Sequence, residues 1–137
     1  HNALLICTPE YNGGVAPLTK NSIDWVSRPM NGEPAVSAIM GKAVSILSAA
    51  VGIVGGSRQQ AQLRVSFQVM RCISVPETVN IPMAHQAFNE DGSLKDKGTH
   101  DMVVLAVKSY DRRWRSASLA PPAAASKSAC IVATTAP

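Results

Sequence analysis

The sequence predicts an α/β domain built on an open parallel sheet, and three observations carry that expectation. The apolar run Ala3-Leu4-Leu5-Ile6-Cys7 reads as a buried strand that empties into the loop Thr8-Pro9-Glu10-Tyr11-Asn12-Gly13-Gly14. Residues 17–27 then show helical spacing. A second apolar run, residues 43–49, empties into a second glycine-rich exit, residues 50–58, followed by another helical stretch. In such a sheet ligands bind outside the carboxyl ends of the strands, where the backbone leaves the hydrogen-bond ladder and its N–H groups become free. Two exits from neighbouring strands would line one cleft.

Taken in order, the first exit is stiffened by Pro9, which fixes φ, while Asn12, Gly13 and Gly14 tolerate positive φ and the glycines let the main chain approach a flat ligand edge. Tyr11 adds a ring beside that edge. Asn-Gly is also the strongest short hairpin signal, but the residues after it are helix-like rather than a second alternating strand, so the ligand loop is favoured over the hairpin. In residues 17–27, Leu18, Ser22 and Trp25 fall at i, i+4 and i+7, with Ile23 and Val26 widening the stripe. Pro17 suits a first helical position, Arg28-Pro29 ends the run, and Trp25 is expected as a core anchor. Residues 30–41 hold Pro34 and two glycines and read as a crossover.

The second exit, Ala50-Val51-Gly52-Ile53-Val54-Gly55-Gly56-Ser57-Arg58, has neither the dinucleotide fingerprint nor the triphosphate-loop spacing. Taken alone it fits a ligand-free strand-to-helix turn as well as a ligand loop. A helix follows from Ser57 to about Met70. Ile73-Ser74-Val75 and Thr78-Val79-Asn80-Ile81, split by Pro76, predict a short last strand and extended chain, because Pro is confined to strand ends and edges. Asp91-Gly92 reads as a turn, and a last helix is expected from near Asp96, carrying Met102, Leu105 and Ala106. His85 near Glu90 and Asp91 follows no metal-ligand spacing, and a surface loop is expected there instead.

The residues from Thr8 to Gly14, then Leu18, Lys20-Asn21, Asp24-Trp25 and Ser27-Arg28-Pro29, resemble the NAD(P)H-dependent FMN reductase family, which includes chromate and quinone reductases. The signature reads P-E-Y-N-G-x-x-x-x-L-x-K-N-x-x-D-W. The second exit is similar to that family at Gly52, Gly55, Gly56, Arg58, Gln60, Leu63 and Arg64, with Ala50 where the family tends to carry Ser. The resemblance extends, more loosely, to about Leu105. It implies a flavodoxin-like, doubly wound parallel sheet in three α/β/α layers. It further implies that Pro9, Glu10, Tyr11, Asn12 and Gly13 frame the isoalloxazine ring of FMN, with Gly52, Gly55 and Gly56 across the cleft. In that fold the ring loop follows the third strand, and here it follows the first. The expectation is therefore an N-terminally incomplete domain over residues 1–107 without its first two strands and their helices, which would leave residues 3–7 as an exposed sheet edge.

Net charge is +4, but residues 1–107 hold eight Lys/Arg and eight Asp/Glu, so the whole excess lies in residues 108–137. A basic tail on a neutral domain is not a nucleic-acid-binding face. Beyond Arg115 the tail is rich in Ala, Ser and Pro, a composition that predicts disorder for residues 108–137. Cys7, Cys72 and Cys130 are widely spaced and read as reduced thiols of a cytoplasmic protein, Cys7 as a core residue rather than a nucleophile. The longest uncharged stretch is too short for the ~20 apolar residues of a membrane span.

Two functions are weighed. The resemblance implies an oxidoreductase that passes electrons from NAD(P)H through FMN to a quinone, a flavin or another small acceptor, as a homodimer or homotetramer. No catalytic side chain is demanded, since the cofactor carries such chemistry. The alternative is a non-catalytic, truncated remnant of that fold, acting at most as an interaction module.

Overall fold

A computed structural model describes residues 3–117 and 130–133. Strand β1 (Ala3–Thr8) pairs in parallel with β4 (Ala43–Ala49), in register from Ala3 opposite Ala43 to Thr8 opposite Ser48. On the far side of β4 lie β5 (Ile73–Ser74) and β6 (Val79–Ile81), both parallel to it and sharing one lane that is interrupted at Pro76. A short antiparallel pair, β2 (Glu10–Tyr11) and β3 (Gly14–Val15), follows β1 directly.

The helices take opposite faces of the sheet. Helices α1 (Pro17–Val26) and α2 (Ser57–Val69) cover one face, where Ile23, Leu63 and Phe67 pack on Ile6, Val44 and Ile46. The single-turn α3 (Ala84–Ala87) precedes α4 (Lys97–Ala117), which covers the other face through Ala106 against Leu47, Val79 and Ile81 and Tyr110 against Ala3, Ala43 and Val75. Alternation along β1 sends Leu4 and Ile6 to the first face and Ala3, Leu5 and Cys7 to the second. Burial on both faces is why β1 and β4 read as continuous apolar runs. The result is the expected three-layer α/β/α arrangement on a parallel sheet.

Four expectations are corrected. The Asn-Gly pair does close a two-residue hairpin, with Asn12 at φ 51° and Gly13 at φ 75°, the two positive values such a turn requires. The hairpin escaped the alternation test because each arm is two residues long and α1 begins almost at once. Trp25 is not a core anchor. It is 70% exposed and Leu18 60%, because α1 buries Thr19 and Ile23 instead. Thr19 is held inward by its hydroxyl, 2.7 Å from that of Thr8.

The remaining two corrections concern the end of the chain. Residues 108–117 continue α4, whose inward face includes buried Ser109 and Tyr110. Ser109 donates to Glu77 Oε1 at 2.6 Å, and this bond, helped by Arg113 and Arg112, holds the Glu77 carboxyl below its ordinary range. Residues 130–133 form β7 (Cys130–Ala133), parallel to β1 from Leu4 opposite Cys130 to Cys7 opposite Ala133. Strand β1 is therefore interior, in the order β5-β4-β1-β7. The expected disorder of residues 118–129 and 134–137 lies outside the described residues.

Candidate functional site

The carboxyl ends of β1, β4 and β6 open into one cleft of about 510 Å³. Residues 7–11 form one wall, residues 47–51 the floor, and Ile81, Ala84 and Phe88 the far side. Nearly every lining group is apolar, and Tyr11 and Phe88 stand half-exposed at the mouth. The only charged side chain in the lining, Glu10, is turned away from the opening. Its Oε2 accepts the backbone N–H groups of Arg58 and Gln59 at 3.0 and 3.2 Å, and its Oε1 lies 3.3 Å from Arg58 Nη1. Glu10 thus supplies acceptors for the first turn of α2, whose leading N–H groups lack intrahelical partners, and places a negative charge at the positive end of the helix.

The sequence-predicted residues therefore divide. Pro9, Glu10 and Tyr11 line the cleft. Asn12 and Gly13 form the hairpin tip beside it, and Gln62 Nε2 donates to Gly13 O at 3.1 Å, clamping the tip onto α2. Gly52, Gly55 and Gly56 do not line it. They shape the turn that delivers the chain from β4 to α2. A Cβ at Gly55 would lie 2.8 Å from the backbone nitrogen of Pro82, and one at Gly56 2.7 Å from Ser48. Gly56 also holds φ at +89°, so the turn demands glycine twice over.

Arg58 and Arg64, which the sequence left open to a phosphate or a partner, are engaged within the chain. Arg64 donates to Val75 O at 2.7 Å and Glu77 O at 3.1 Å, bracing the bend around Pro76. Sequence reasoning missed the polar pivot below the cleft. The hydroxyl of Ser48, buried at the end of β4, donates to Gly55 O at 2.6 Å and accepts from Gln60 Nε2 at 2.8 Å, with the Asn80 amide 3.1 Å away. Gln60 also donates to Val79 O at 2.7 Å. It missed Ile81, Ala84 and Phe88 as well. Applying the strand-end rule to the lane of β6 would have pointed to Ile81.

An apolar slot laid across the carboxyl ends of parallel strands, inside three α/β/α layers, defines an open α/β protein with its cleft at the strand ends. Comparison with known proteins gives the family. Residues 1–86 match the family model described as NADPH-dependent FMN reductase, and the chain belongs to that family. It is 36% identical to an NAD(P)H-dependent FMN reductase of Pseudomonas aeruginosa over 119 residues, covering 83% of this chain and 61% of that protein. It is 33% identical to an NADPH:quinone oxidoreductase of Arabidopsis thaliana, covering 82% of this chain and 57% of the relative. Among solved structures, a flavoenzyme NAD(P)H:(acceptor) oxidoreductase from Paracoccus denitrificans superposes with a TM-score of 0.66 at 26% identity, over 83% of this chain and 62% of that one. An oxidoreductase from Corynebacterium diphtheriae shares the fold, with a TM-score of 0.63 at 16% identity. The chain thus spans about three-fifths of the length of these relatives.

Among the described residues no cluster of His, Cys, Asp or Glu is arranged to hold a metal ion, and no helix is long and apolar enough to cross a membrane.

Proposed function

We propose that this chain carries the ring-binding half of a flavin-dependent oxidoreductase, which takes electrons from NAD(P)H on FMN and delivers them to a quinone or another small acceptor in the cytoplasm. The observation that supports this most is the apolar cleft itself, framed by the family-matched segments that leave β1 and β4. Its shape and chemistry fit a tricyclic ring: apolar floor, aromatic side chains at the mouth, and a single charged group in the lining, Glu10, already paired with the first turn of α2. Bound FMN would supply two-electron acceptance and one- or two-electron release. The protein's part is position and exclusion of water. Leu47, Ala49 and Ala50 form a floor without competing hydrogen-bond donors, and the hairpin, fastened by Glu10 and Gln62, keeps Pro9 and Tyr11 against one side. The lining offers no Lys or Arg to a phosphate.

Flavin titration followed by quenching of ring fluorescence tests the reading. FMN and riboflavin are expected to bind within about threefold of each other, because the lining engages the ring and leaves the phosphate uncompensated. Ala50→Trp, which fills the slot, is expected to weaken both at least tenfold, about 1.4 kcal/mol, with the far-UV spectrum intact. Undiminished binding to that variant would remove the cleft from the flavin site. Self-association as a homodimer is also proposed, supported by the uncovered Leu18–Trp25 face of α1.

A further inference from the structure

Helix α3 is one turn long, buries none of its residues and stands between two hollows. Ala84 and Phe88 close the far side of the cleft, whereas Ala87 lines a second hollow of about 390 Å³ beside Pro82 and Met83, and Ile81 lines both. The turn is hung from the second glycine-rich exit. The N–H groups of Met83 and Ala84 donate to Gly52 O at 3.3 Å and Ala50 O at 3.0 Å, and Met83 takes φ 47° to bring the chain round. After α3 the chain doubles back, with Asn89 N–H donating to Ser93 O at 2.8 Å and an antiparallel bridge setting Phe88 opposite Leu94. Directly opposed residues of such a pair send their side chains to one face, with Cβ atoms about 4.5–5.5 Å apart. Phe88 lines the cleft and Leu94 the second hollow, so the bridge carries apolar surface from one to the other.

Resting on the oxidoreductase reading above, we propose that the second hollow binds the apolar chain of a lipophilic quinone whose ring is held at the cleft mouth, with Met83 and Leu94 as specificity-determining residues. The chemistry of the lining selects a chain over a second ring. It contains no aromatic side chain, and Ala87 and Leu94 rest on the core of Leu47, Val79 and Ile81. Its charged groups stay at the rim, since Lys95 and Asp96 are exposed and Asp96 Oδ2 is engaged by the N–H and hydroxyl of Thr99 at 2.6 and 2.8 Å. An apolar chain therefore enters without stripping water from a buried charge. Burial of about two methylene groups is enough for a tenfold gain in affinity.

The test uses the full chain with FMN and two quinones that share a dimethoxy-methyl benzoquinone ring, one bare and one carrying a decyl chain. Calorimetric titration should show the decyl quinone binding at least about tenfold tighter. The double variant Met83→Asn, Leu94→Gln, in which Asn suits the positive φ, should bring that ratio below about threefold while the bare quinone binds as before. Equal binding of the two quinones to the natural chain would overturn the proposal, as would a ratio that survives in the variant. A second measurement on the natural chain needs neither flavin nor quinone: 1-octanol should shift amide resonances within residues 81–95, and shifts absent there or scattered over the molecule would overturn the site. Octanol shifts confined to that segment, together with no binding of the bare quinone, would instead count against the oxidoreductase reading and leave the apolar-chain site standing.

Discussion

Glu10 shows how one side chain can look like a ligand contact and act on the fold. Its carboxylate closes the first turn of α2 rather than facing the cleft, so Glu10→Ala leaves the N–H groups of Arg58 and Gln59 without their acceptor. Loss of a cap of this kind costs about 0.5–2 kcal/mol, and urea unfolding should show a midpoint lowered accordingly with an unchanged slope. Gly56→Ala should cost more, roughly 1–3 kcal/mol for the positive φ alone, plus the collision with Ser48, which is buried and has no room to retreat. Thermal denaturation of the variant would check this, and a wild-type melt would mean that the turn can relax. Cys72 offers a pH test. Burial, only partly offset by nearby Lys42, pushes its thiol up to about 11 from the usual 9.0. Because the folded value is raised, the protonated thiol's contribution to stability is complete below about pH 9 and is lost as pH rises through 11. Alkylation at Cys72 should accordingly be slow at pH 8 and climb steadily toward pH 11, whereas a rate that levels off near pH 9 would contradict the burial.

At the scale of elements, α1 carries the clearest lesson about what a sequence reveals. Its limits were legible from Pro17 and Arg28-Pro29, but its orientation was not. Leu18 and Trp25 are the larger apolar groups, yet the inward face is set by the Thr8–Thr19 hydroxyl contact and by Ile23, a polar tie that hydrophobic periodicity does not register. The exposed stripe makes a prediction about association. Trp25→Glu should abolish dimerisation in light scattering, while at protein concentrations low enough to be monomeric its unfolding free energy should stay within about 0.5 kcal/mol of wild type, as befits a surface change. A loss of several kcal/mol would return Trp25 to the core. Strands β1 and β4 and helix α2 were read nearly to the residue, because two-sided burial and glycine-rich exits leave strong local marks. The C-terminal part of α4 was not, since its inward residues there, Ser109 and Tyr110, carry little hydrophobic contrast against the basic residues around them.

Across the whole molecule, the family and the layer order followed from one segment, residues 8–28, in which many residue types recur at fixed spacing. The cleft was half legible. Its β1 wall was foreseen through Pro9 and Tyr11, whereas the glycines expected opposite turned out to build the β4–α2 turn, and the actual far wall comes from the short β6 lane and α3. Glycine spacing reports where a backbone must pass closely, and that can be over another strand as readily as over a ligand. The position of β7 was not legible at all, because the feature that selects it is the open flank of a strand more than a hundred residues away.

That long-range pairing has a consequence for the birth of the protein. Leu4 meets Cys130, so β1 must wait for about 126 further residues to be made before its flank can close. At ~5–20 residues per second this is roughly 6–25 s on the ribosome, with an apolar strand already emerged and half-paired. Synthesis, more than equilibrium, is then the stage at which neighbouring nascent chains compete with β7. Slower translation or closer spacing of ribosomes on a message should lower the soluble yield even where the finished protein is stable.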